Sequence, residues 1–131
     1  MGIEIGENSN IQDNSVLHTT NDSRFSPGGR KLVIGNDITI GHACIIHACT
    51  IEDLCLVGMG STLLDACIVH TGAMIGANSL VPLNKELEGG FLWVGNPVKK
   101  VRKLKDSEKE FLKFSAESYA KLKQRHIASQ S

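Results

Sequence analysis

Aromatic side chains are scarce in this chain, at 5% of 131 residues, with a single Trp and a single Tyr. A core that cannot draw buried area from rings must draw it from aliphatic residues. Proline is rare as well, with 3 residues, and neither sign of charge is in surplus, since 14 basic and 14 acidic residues cancel. That balance gives no sign of a nucleic-acid or membrane partner. No apolar run approaches the ~20 residues that span a bilayer, and the start of the chain lacks a leader pattern. The expectation is a cytoplasmic protein. Among the 4 cysteines no C-x-x-C pair occurs, which removes the commonest thiolate-metal and redox spacings.

What is present is a period. Aliphatic residues recur every sixth position at Ile34, Ile40 and Ile46, then after one five-residue step at Ile51, Val57, Leu63, Val69, Ile75 and Val81. The same phase gives Ile5, Ile11 and Leu17 nearer the start. A repeat this short cannot bury its aliphatic residue alone and must stack on its neighbours. The fold expected is an all-β solenoid, a parallel β-helix, whose coils of about 18 residues lie roughly 4.8 Å apart. Gly is plentiful, at 13 residues, as tight corners require. The segment 21–33, with Pro27, Gly28 and Gly29, reads as a loop thrown out from one corner. The chain divides into a repeat domain over 1–101, carrying that loop, and a helix with its tail over 102–131.

The cysteines sit in the repeat with their own regularity. Cys44, Cys49, Cys55 and Cys67 each precede a ladder aliphatic by two residues, a slot that Ser61, Ala73 and Ser79 fill elsewhere. A slot that takes only small residues makes them packed thiols. After Val81 the pattern changes, and an irregular strand and turn are expected to leave the coil. Ser107 and Glu110 form a capping-box pair. The helix they predict runs from about 107 to 126, with a loose tail from Ala128. Phe111, Leu112, Phe114, Ser115, Tyr119 and Leu122 should form the face that packs on the coils or on a neighbouring subunit. His126, near the helix end, reads as a favourable cation there.

Three histidines stand out on this ladder. His18 follows Leu17 as His47 follows Ile46, so once the loop is set aside their imidazoles should project from adjacent coils into one space. His42 lies on a neighbouring face, from which one chain could hardly bring it to the other two. A second subunit could. Three neutral imidazoles are a metal-binding set with an open fourth position. Each taken singly is more simply a polar corner residue. Asn10, Gln12 and Asp13 are either corner residues bonding a turn or part of the same site. His70 also begins a unit but has no stacked partner in the ladder, and reads as a surface residue.

NIQDNSVLH (10–18), IGHACIIH (40–47), VGMGSTLLDA (57–66) and GNPVKKVR (95–102) together resemble the gamma-class carbonic anhydrase family, specifically its short bacterial branch. The likeness spans nearly the whole chain. It implies a left-handed β-helix assembled as a homotrimer, with metals between subunits. His18 and His47 would come from one subunit and His42 from its neighbour. It implies Zn2+ as cofactor, with Fe2+ or Co2+ suited to the same nitrogens, and carbon dioxide and bicarbonate as substrate and product. Gln12 matches the glutamine that contacts the reacting water or substrate, while Asp13 and Asn10 match residues that orient the site. Two departures stand beside it. The family's Arg-Gly-Asp segment would fall about one unit before Ile3, so Asp13 is expected to lack that arginine. The loop carries Asp22 as its acid where the archetype has a glutamate to relay protons. Two further readings therefore stay open: a CoA-dependent acyltransferase or thioesterase using His70 as base, and a non-catalytic metal-binding trimer.

Overall fold

Each six-residue unit contains one residue that turns left-handed, three positions before the next ladder aliphatic. Asn8, Asn14, Asn78 and Asn84 take this conformation readily, and Gly60 and Gly72 take it without steric cost. Ala43, Ala48, Ala66 and even Leu54 adopt it as well, with φ between 40° and 63°. The demand therefore comes from the coil and not from the residue. In the computed structural model, which describes residues 2–130 and the side chains of 2–118, these turns join short strands into five successive coils.

The first coil is β1 (Ile3–Ile5), β2 (Asn10–Ile11) and β3 (Val16–His18). The second is β4 (Leu32–Ile34), β5 (Thr39–Ile40) and β6 (Ile45–His47), and the third β7 (Thr50–Ile51), β8 (Leu56–Val57) and β9 (Thr62–Leu63). The fourth is β10 (Ile68–Val69), β11 (Met74–Ile75) and β12 (Leu80–Val81). The last holds β13 (Glu86–Leu87), β14 (Phe91–Gly95) and β15 (Val98–Lys103). Up to β14, every third strand returns to the same sheet. The sheet orders are β1-β4-β7-β10-β13, β2-β5-β8-β11-β14-β15 and β3-β6-β9-β12, parallel throughout except for the final β14–β15 hairpin. Parallel sheets of many short strands with one C-terminal helix fit the expected β-helix.

The register stacks the ladder into three aliphatic columns. Ile5, Ile34, Ile51, Val69 and Leu87 form the first. Ile11, Ile40, Val57, Ile75 and Trp93 form the second. Leu17, Ile46, Leu63 and Val81 form the third. The five-residue step from Ile46 to Ile51 is absorbed at one corner without breaking a column. From the second coil through Leu87 every column residue is buried, whereas Ile5 in the first coil is 47% exposed. The four cysteines are reduced and buried beside these columns, as their slot required.

Three expectations are corrected. The ladder does not end at Val81, because Leu87 and Trp93 continue two columns before β15 folds back. The excursion after Thr20 closes earlier than residue 33, at an antiparallel Thr20–Arg30 bridge, and Leu32 and Val33 already belong to β4. The helix α1 runs Asp106–Gln130, past the expected tail, and its cap lies nearer the start: Glu108 accepts from the Lys105 backbone N–H at 2.8 Å. Arg102 grips the same carboxylate through two contacts of 2.6 and 2.9 Å. That helix turns Leu112, Ser115 and Ala116 inward, while Phe111 and Phe114 are 50% and 62% exposed. The aromatic edge therefore does not face the coils of its own chain. The side chains of Tyr119, Leu122 and His126 lie outside the described residues. No described helix is long and apolar enough to cross a membrane.

Candidate metal centre

Alternation along a strand puts Leu17 and Ile46 inside the coil and the next residues, His18 and His47, outside it. The two histidines are register partners on β3 and β6. Their rings stack with centroids 4.7 Å apart and planes 14° from parallel. The shared space inferred from the ladder is present. His42 stands elsewhere, on the exposed turn joining β5 to β6, where the second sheet gives way to the third. Gly41 holds that turn against the next coil, for a Cβ there would meet the Met59 nitrogen at 2.8 Å. Among the described residues no three His, Cys, Asp or Glu side chains converge as a metal cluster.

The residues around His42 come from the coil above. Asp13 stacks over this corner, its carbonyl accepting from the Ala43 N–H at 3.0 Å. Gln12 follows β2, its own N–H donating to the Ile40 carbonyl at 2.9 Å. Its side chain reaches the Asn10 oxygen at 3.5 Å. Asn10 in turn donates to Thr39 Oγ1 at 3.2 Å, and the Thr39 and Ser115 hydroxyls meet at 3.0 Å. A polar chain thus runs from Gln12 across the second sheet to α1. Asn10 bonds β-sheet neighbours as well as Gln12, so its backbone-bonding role and any site role coexist.

Two residues that sequence reasoning passed over stand beside His47. Asp65, on the turn after β9, takes the imidazole Nδ1 on one carboxylate oxygen. Thr20 Oγ1 donates to the other at 2.5 Å. Desolvation alone would raise the Asp65 carboxyl. The bonds from Thr20 and His47, with the positive charge of Arg30 nearby, outweigh it and hold the group below its ordinary range. The signal was legible, since Leu63 stacks on Ile46 and Asp65 follows two residues later. His70 also departs from expectation. Far from lacking a partner, it has Glu52 on Nδ1 at 3.1 Å and Glu86 on Nε2 at 3.0 Å. Glu86 and Glu52 together hold its imidazolium above the usual histidine range.

Known proteins resemble this chain over most of its length. Protein YrdA of Escherichia coli is 51% identical over 125 residues, covering 95% of this chain and 68% of that protein. Gamma carbonic anhydrase 2, mitochondrial, of Arabidopsis thaliana is 42% identical over 98% of this chain and 46% of its own length. A crystal structure of a hexapeptide transferase family protein from Anaplasma phagocytophilum superposes with a TM-score of 0.83 at 43% identity, over 93% of this chain and 68% of that one. The chain belongs to the gamma-carbonic-anhydrase-like hexapeptide-repeat family. No protein-family model matches it. In this gamma-carbonic-anhydrase-like protein the donor types fit a divalent transition metal, because imidazole nitrogens suit zinc, iron(II) and cobalt(II) alike. His18 and His47 offer two of them from one face, their rings stacked 4.7 Å apart.

Proposed function

We propose that the protein assembles as a homotrimer of left-handed β-helices and interconverts carbon dioxide and bicarbonate at three-histidine sites between subunits. The stacked pair of His18 and His47, with His42 on the adjoining corner, carries this reading. One chain supplies two donors and the neighbouring chain the third. Zinc held there, or iron(II) or cobalt(II), would supply a Lewis acid that brings the acidity of water near neutrality. The chain's own residues do the rest. Gln12, whose amide N–H donates to Asn10 Oδ1, would orient the substrate. Asp13, exposed at that corner, offers a carboxylate that can take part in moving a proton. Within the excursion Asp22 is already engaged, accepting from the Gly28 N–H at 2.6 Å. It closes the loop and is a poor relay, so turnover is expected to be slow.

The transferase reading meets an obstacle at His70. A general base needs a free ring nitrogen, and both nitrogens of His70 face carboxylates. The test of the preferred reading is complementation between subunits. His42→Ala and His47→Ala should each purify as folded trimers without a full metal complement. Mixed and reassembled, they should regain about one intact site per mixed trimer, because one interface then pairs His42 of one chain with His18 and His47 of the other. Metal retained in His42→Ala, or no recovery on mixing, rules out the shared site.

A further inference from the structure

His47 carries a carboxylate on its Nδ1, itself fastened from the far side. We infer that Asp65 is a positioning residue that commits His47 to present Nε2 outward, and that Thr20 ties this arrangement to the stem of the 21–29 excursion. The inference rests on the three-histidine reading for its purpose, though not for its geometry.

A carboxylate only accepts hydrogen bonds, so the neutral imidazole beside it must carry its proton on Nδ1. The lone pair then belongs to Nε2, which is the atom a metal would need. Without that contact the ring could take either tautomer and swing about χ2, and stacking on His18 would not choose between them. The carboxylate must also be held. Its second oxygen accepts from Thr20 Oγ1 at 2.5 Å, and with both oxygens engaged Asp65 cannot rotate away from the imidazole. Thr20 is no free-standing donor. Its backbone pairs in both directions with Arg30, by contacts of 3.0 and 2.8 Å, and this bridge closes the excursion. Loop stem, carboxylate and imidazole therefore form one connected unit drawn from three coils. A displacement of the stem would release Asp65 and, through it, the tautomer of His47.

The tautomer can be read without any metal. Long-range proton–nitrogen correlation spectra of the metal-free full chain, at about pH 8 where imidazoles are ordinarily neutral, should show His47 protonated at Nδ1 and bare at Nε2. In Asp65→Ala that preference should be lost, and cobalt(II) affinity, followed by its visible absorption, should fall on the order of 10- to 100-fold. Asp65→Asn keeps an accepting oxygen and should restore the Nδ1–H form and most of the affinity. Thr20→Val should shift both readouts the same way by less. A wild-type His47 protonated at Nε2 overturns the inference, as does an Asp65→Ala protein with unchanged tautomer and affinity. Should Asp65→Ala fail to fold, the wild-type spectrum and Thr20→Val decide the matter. If the wild type shows the Nδ1–H form yet takes up no cobalt, the metal reading fails while the hold of Asp65 on His47 stands.

Discussion

Ile46 and Ile5 occupy equivalent positions in the repeat, yet Ile46 is 0% exposed and Ile5 47%. Truncation to Ala removes the same groups from each. At about 0.8 kcal/mol per buried carbon, complete burial of those groups contributes ~2.4 kcal/mol. Ile46 lies between Leu17 and Leu63 in its column, and the hydrogen-bonded coils cannot close on the vacated space. The cavity left behind brings Ile46→Ala to about 3–4 kcal/mol, inside the range for buried Ile→Ala changes. Ile5 stacks on Ile34 alone, keeps nearly half its surface in solvent and leaves no enclosed void. Its truncation should cost roughly 1 kcal/mol. Equilibrium urea unfolding at one fixed protein concentration measures both, since assembly and stability are linked. The unfolding free energies should separate by about 2 kcal/mol or more at unchanged slope. Equal losses would refute the reasoning, because the first coil would then be covered as fully as the second.

Two predictions concern titration and thiols. Glu86 and Glu52 raise the His70 pKa above its unfolded value, so the stability this clamp adds is complete below the ordinary imidazole range and disappears as pH rises through the raised value. The melting temperature of wild type should exceed that of His70→Gln at mildly acid pH and converge with it in alkali; a constant difference would show that charge is not involved. His70 is 38% exposed, and solvent screening keeps the effect below about 1 kcal/mol. Burial raises the thiols of Cys44 and Cys55, the latter to about 12, and the bond to Cys67 together with burial raises Cys49. A thiol reagent should therefore leave native protein unlabelled near neutrality and modify all 4 cysteines after denaturation; rapid native labelling of Cys49 or Cys67 would contradict their packing.

The histidines show how far local spacing reaches. His18 and His47 were predictable as neighbours because both follow a column aliphatic, and removing the excursion leaves one whole coil between them. Glu52 follows Ile51 as His70 follows Val69, and Asp65 lies two residues past Leu63, so the columns bring both near their histidines. Both carboxylates meet their histidines from adjacent coils, at angles set by the corner turns and by side-chain reach. Glu86 reaches His70 although it stacks on Ile68, an offset that no column count reveals. Phe111 and Phe114 illustrate the opposite failure. Helical spacing grouped them with Leu112 and Ser115, but Thr39 draws Ser115 inward and sets which stripe of α1 meets the second sheet.

By itself, then, the sequence determined the coil, its columns and its buried cysteines. A six-residue aliphatic period has one economical way to leave water, which is to stack, and the slots beside it admit only small residues. The tertiary structure alone decided the meetings that the columns do not give: Thr20 with Asp65, Glu86 with His70, and Ser115 with Thr39. Those meetings depend on rotations and rises between residues far apart in the chain, and hydrogen bonds act only when distance and direction are both satisfied.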